Sequence, residues 1–343
     1  LVVLLHASNE YYTTILNSPL DSEFYWWTST VYKSFAVPCV PLFIILSGAL
    51  LLQSSKIKEP IGLFLKKRFN RIGFAFIFWT LIYLVWAIFV FQIPVTFGNV
   101  TQGLIFGLLG GSYYHFWYIY LIVGLYLITP VLRTLISSDS QELLRYIIIL
   151  WFLGVAVAPF FHMISGFASL DYPHYLYETL FVVGGSVGYF ILGQYLKKVR
   201  VRSLILYGLF FLSVGFTIFG TWLMRFNLSS LGQEYFFFDN LSISVILTSI
   251  TLYMILSKVS ADWPKNPFVK RVLHLISINT LPIYLLHVII METLQRGYLG
   301  FKLSVTTINP VIGVPIIALI TFIITFGLVL LMKRVPVLRT IIG

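Results

Sequence analysis

Long apolar runs separated by short polar segments organise the whole chain. They lie near 30–53, 71–93, 113–135, 143–162, 175–196, 203–224, 240–257, 274–296 and 310–332. Each reaches the roughly 18 residues a helix needs to cross a bilayer. A membrane β-barrel would instead read as short alternating segments. A further apolar piece, LVVLLHA at Leu1–Ala7, is too short to span. It reads as the outer end of a first helix that begins upstream; a cleaved signal peptide is the alternative, although no charged n-region or small-residue cleavage site is visible. The pattern predicts an all-α, polytopic membrane protein of about ten helices. With no internal repeat, no low-complexity linker and no long outer loop, residues 1–343 read as one transmembrane domain with no soluble domain appended.

Composition sharpens this picture. Apolar residues make up 59% of the chain and charged residues 10%, against soluble averages of about 45–50% and about 25%, which excludes a soluble fold. One cysteine, Cys39, excludes a disulfide scaffold and reads as a buried, inert thiol. A net charge of +11 would point to nucleic acid in a soluble protein, but its placement explains it here. All of the 23 lysines and arginines except Lys33, Arg225, Arg296 and Lys302 fall on one side of the alternating spans. By the positive-inside rule that side is cytoplasmic, so both termini lie inside and the protein sits in the cytoplasmic (inner) membrane. Prolines within or beside the spans (Pro38, Pro41, Pro130, Pro159, Pro282, Pro315) fit packing or gating, and Gly184, Gly185 and Gly188 fit close helix approach.

Intramembrane ionisable groups are costly and mark candidate sites. His6, His115 and His287 fall in the outer half on different spans. Counting along a straight ninth helix puts His287 roughly 20 Å from the inner face. Glu178 and Glu292 lie within about a turn of the outer boundary, where snorkelling to water is the plainer reading. His162 and His174 sit at loop edges on that side, and His274 at the inner edge. On the inner side Lys66, Lys67, Arg68 and Arg71 gather before the third span. Arg68 and Arg71, three apart, share a helix face. Their planar forks suit a phosphate or pyrophosphate, while ordinary cytoplasmic charge bias is the plainer reading of the residues alone.

Several segments in order resemble the acyltransferase family 3 membrane proteins, which include bacterial O-acetyltransferases of surface polysaccharides. They are VVLLHA (Val2–Ala7), VPLFIILSGALLL (Val40–Leu52), FLKKRFNRI (Phe64–Ile72), HFWYIYLIVGLYLITPVL (His115–Leu132) and INTLPIYLLH (Ile278–His287). The resemblance implies that His6 is an essential histidine, that Arg68 and Arg71 form an Arg-x-x-Arg pair, and that His115 and Trp117 form a His-x-Trp element. His287 then ends a Tyr-Leu-x-His segment. The family pairs its first histidine with a basic residue eleven positions earlier, which would precede Leu1.

The resemblance also implies acyl-CoA as the donor co-substrate, with acetyl the common acyl group and succinyl an alternative. A glycan or lipid-linked sugar would be the acceptor, and no metal is expected. Arg68 and Arg71, assisted by Lys66 and Lys67, would hold the nucleotide end. His6 would act as general base or carry the acyl group transiently, and His115 or His287 would orient the acceptor or donate to the oxyanion. Ser47 would add a hydroxyl donor, and Trp117, Glu178 and Glu292 would line the acceptor. Two other classes fit the same polar residues: a transporter or flippase for an envelope precursor, using the histidines and glutamates as proton relays, and a sensor or scaffold in which neither cluster does chemistry.

Overall fold

The computed structural model describes residues 1–16, 22–56, 59–137, 141–167, 185–228, 234–260 and 262–343. Most of these residues are helical, with no strand among them. In order come α1 (Val2–Ser8), α2 (Glu23–Ala36), α3 (Cys39–Leu51), α4 (Ile61–Phe91), α5 (Phe97–Phe106), α6 (Trp117–Ser137), α7 (Gln141–Phe152) and α8 (Ala158–Phe167). They are followed by α9 (Val187–Tyr195), α10 (Ser203–Phe226), α11 (Ile243–Leu256), α12 (Pro267–Ile278), α13 (Thr280–Arg296), α14 (Pro310–Met332) and α15 (Pro336–Ile341).

Seven of the expected spans are present as helices long and apolar enough to cross a membrane: Glu23–Leu51, Ile61–Phe91, Trp117–Ile136, Gln141–Phe161, Ser203–Phe226, Phe236–Leu256 and Pro310–Met332. The chain is therefore an all-α, multi-pass membrane protein. Of the run at 175–196, the described residues contain only α9.

Three departures from the sequence reading matter for function. First, α4 starts ten residues before the expected 71, directly after Pro60. Lys66, Lys67, Arg68 and Arg71 are thus part of the helix rather than a loop before it. At 1.5 Å per residue its 31 residues span roughly 47 Å, well beyond a hydrocarbon core of about 30 Å. The basic turns can therefore leave the apolar layer without breaking the helix. Second, the run at 274–296 is two helices, α12 and α13, bent by 80° at Asn279. Pro282 explains the break: it lacks an N–H, and its ring excludes the carbonyl four residues back, at Ile278. Third, the stretch after α4 contains α5, started by Thr96, whose side chain accepts from the Asn99 amide at 3.2 Å.

The chain divides into two compact units, Leu1–Lys58 with Thr129–Ala261, and Glu59–Ile128 with Asp262–Gly343. In the first, α3 and α9 pack backbone to backbone. A Cβ at Gly48 would strike the Phe190 carbonyl, and one at Gly193 the Ile45 carbonyl, the small-residue contact that membrane helices favour. Of the three glycines singled out above, Gly184 lies outside the described residues. Gly188 seats the Trp151 ring, whose indole N–H donates to the Gly185 carbonyl at 2.7 Å. In the second unit, the Tyr83 hydroxyl donates to the Leu285 carbonyl at 2.6 Å and ties α4 to α13. The Trp79 indole donates to the Ile342 carbonyl at 3.3 Å, anchoring the end of α15 on α4.

A buried imidazole pair and a basic helix end

The bend at Asn279 changes where His287 lies. Depth counted from the start of a straight helix no longer applies; the residue stands eight positions past the bend, roughly 12 Å along α13. His115 reaches the same place from the other direction. It lies in the short connection into α6, after a turn at Gly111 whose φ of 96° is open to glycine. The two rings are buried, at 1% and 0% exposure, with centroids 5.8 Å apart.

Aromatic residues enclose this pair. Tyr83 and Tyr284 lie 5.0 and 5.5 Å from the His115 ring, and the Tyr284 hydroxyl donates to the His115 carbonyl. His287 Nδ1 lies 2.5 Å from the Tyr284 carbonyl oxygen. A carbonyl only accepts, so Nδ1 carries the proton, and in the neutral ring Nε2 holds the lone pair. The local fold has therefore selected the tautomer that can take up a proton at Nε2.

Glu292 follows His287 by five residues on α13. Its carboxylate accepts from the Tyr113 hydroxyl at 2.7 Å and from the Trp86 indole at 2.8 Å. Burial first, then the hydrogen bond to this carboxylate, push the Tyr113 hydroxyl above the usual tyrosine range, so it remains a donor. A carboxylate fixed this way lies next to the imidazole pair through Tyr113, whose ring is 6.2 Å from that of His115.

At the other end of the same unit the basic residues separate. Arg68 is half-buried, its guanidinium 5.4 and 5.6 Å from the rings of Phe64 and Tyr126. Arg71 is exposed. Beside it, Lys333 is held below the usual lysine range, mainly by partial burial and then by Arg71 and Arg339. The Arg71 end of α4 thus gains two cations from the C-terminal segment, at Lys333 and Arg339, that the local motif did not reveal. Lys67 donates to Glu59 at 3.2 Å, and Lys66 lines a cavity together with Arg68. From Arg68 to Tyr83, which touches His115, α4 rises roughly 22 Å.

The remaining candidates are scattered. His6 lies on α1 in the other unit, where α1 packs against α2 through Ser29, which donates to the Ser8 carbonyl. Ser47 lies one turn before the end of α3, roughly 27 Å along the Glu23–Leu51 span from Ser29; that placement does not support an oxyanion role beside His6. Trp117 is 45% exposed at the start of α6, with its ring against Tyr118. Glu178 and His174 lie outside the described residues.

One residue treated above as an outer-side charge behaves differently. Lys33 is 8% exposed within α2, not in a loop. Its Nζ donates to Asn9 Oδ1 at 3.0 Å and lies 4.3 and 4.5 Å from the ring centroids of Tyr12 and Phe238. Ring faces and an amide thus replace water around the ammonium.

A family model described as an acyltransferase domain matches residues 1–331. No curated protein and no solved structure matches the chain.

Proposed function

We propose, from the membership of this chain in the acyltransferase domain family, that it moves an acyl group, acetyl in the first instance, from cytoplasmic acyl-CoA to a hydroxyl of a cell-surface glycan or lipid-linked sugar. The match makes the chain a membrane acyltransferase; donor, acceptor and inner-membrane location belong to the proposal. Its principal structural support is the buried pair His115 and His287, with the His287 tautomer set by the Tyr284 carbonyl.

The chemistry follows from that tautomer. The acceptor oxygen attacks the thioester carbonyl carbon while its proton passes to His287 Nε2. Collapse of the tetrahedral intermediate breaks the carbon–sulfur bond, and the departing thiolate takes the proton back from the imidazolium. With Nδ1–H committed to a backbone carbonyl, neutral His287 has no N–H to offer an oxyanion. It therefore suits the base better than the donor role, which His115 can fill. His6, the base expected from the sequence, is retained as a second required imidazole.

Arg68 and Arg71, with Lys66 and Lys67, hold the phosphates at the basic end by charge-assisted bonds. The roughly 22 Å of α4 between this end and the histidines is the distance the pantetheine arm has to bridge. Replacing both arginines by glutamine is expected to raise KM for acyl-CoA by about tenfold or more with a smaller change in kcat. Steady-state kinetics of the purified protein checks this. An unchanged KM would return both residues to plain signals of membrane orientation.

A further inference from the structure

A cavity of about 750 Å³ opens along the α4 and α6 faces of the second unit. Lys66 and Arg68 stand at one end; beyond them the walls are almost wholly apolar, with Phe69, Ile77, Val123 and Leu127 among the lining residues. Ile77 and Leu127 are 53% and 63% exposed, so the cavity is a groove open along its side. In a membrane span such an opening faces lipid.

The dimensions of the groove follow from the helix. From Arg68 to Ile77 is nine residues, roughly 14 Å of rise. Half of a hydrocarbon core of about 30 Å is about 15 Å. The groove therefore covers the depth of one leaflet, with its cations at the end where that leaflet's headgroups lie.

Arg68 supplies a second, independent observation. Its Nε is buried and has no hydrogen-bond acceptor. Two ring faces flank the guanidinium, and no carboxylate pairs with it among the described residues. Arg68 is only partly exposed; a buried guanidinium N–H without an acceptor is costly, and a phosphate oxygen would complete it.

We infer that this groove binds an anionic glycerophospholipid of the leaflet on the basic side, with its phosphate on Arg68 and Lys66 and one acyl chain between α4 and α6. The order of polar and apolar surface selects this occupant over the arm of acyl-CoA. In a phospholipid the hydrocarbon begins one glycerol away from the phosphate. In acyl-CoA a long arm with two amides intervenes, and those amides need partners. The groove wall offers few: the Tyr120 hydroxyl is already donated to the Leu108 carbonyl at 2.8 Å. Arg68 and Lys66 are shared with the proposed acyl-CoA site: while the lipid is bound, Arg71, exposed beside Lys333 and Arg339, stays available to a nucleotide, and arriving acyl-CoA displaces the headgroup from Arg68 and Lys66.

Native mass spectrometry of the delipidated full chain, titrated with phosphatidylglycerol or phosphatidylcholine of the same acyl chains, tests the inference. Phosphatidylglycerol is expected to be retained about tenfold more strongly, given two cations at the headgroup end. Ile77→Trp and Leu127→Trp, made singly at exposed positions, narrow the groove. Each should reduce phosphatidylglycerol retention toward that of phosphatidylcholine, while acyl-CoA binding stays as in the parent chain. Equal retention of the two lipids by the parent, or full retention by both tryptophan variants, overturns the inference. Failure of acyl-CoA to bind any of these proteins would count against the acyltransferase mechanism and leave the lipid result intact.

Discussion

His287→Ala is expected to lower acyl transfer by about 10²–10⁴-fold, the range associated with losing a positioned general base. The substitution removes a ring nitrogen, Nε2, whose proton-accepting state is fixed by the hydrogen bond from Nδ1 to the Tyr284 carbonyl at 2.5 Å. Because α13 is also held by Tyr83 through the Leu285 carbonyl, the variant should still insert and fold, which thermal unfolding in detergent checks. Partial recovery on adding free imidazole would identify a missing base rather than a displaced helix. Activity within twofold of the parent would remove His287 from the chemistry.

His6→Ala should cost a comparable factor, since the first-helix histidine is the one the family resemblance marks as essential. The structural reason is less direct, because α1 belongs to the other compact unit. Assaying both variants over pH separates the two imidazoles. The base should impose the ionisation seen in kcat, and its loss should abolish that limb of the profile. If His6→Ala flattens the limb and His287→Ala does not, the base is His6, the first of the two roles the resemblance implied for it.

Much of the architecture was legible because hydrophobic length is a one-dimensional signal. Seven spans could be placed from apolar runs, and the basic cluster from its charges. What the sequence concealed depends on bonds between distant positions. The start of α4 was placed too late because lysine and arginine were read as ending an apolar run, although their long stems tolerate a helix that projects beyond the hydrocarbon. The 80° bend could have been anticipated from Asn279 and Pro282, but apolar residues on both sides masked it.

The same contrast holds at the candidate site. His115 and His287 were both named from sequence, and their 5.8 Å proximity is a tertiary fact. Tyr284 was within reach, standing one turn before His287. Tyr83, Trp86 and Tyr113 were not, because nothing in an aromatic-rich chain distinguishes a tyrosine that buttresses a histidine from one that packs against lipid. The burial of Lys33 was hidden for a related reason: a lone lysine near a span edge reads as a solvated charge until three aromatic rings are seen around it.

The most direct test of the central claim, acyl transfer from cytoplasmic donor to outer acceptor through these imidazoles, uses purified protein in sealed vesicles. Radiolabelled acetyl-CoA is supplied on the basic side and extracted envelope glycan on the other. The account predicts free CoA thiol on the donor side in step with labelled ester on the glycan, both lost in His287→Ala. Passage of glycan or its lipid-linked precursor with no thiol released and no ester formed would contradict it and identify a transporter instead.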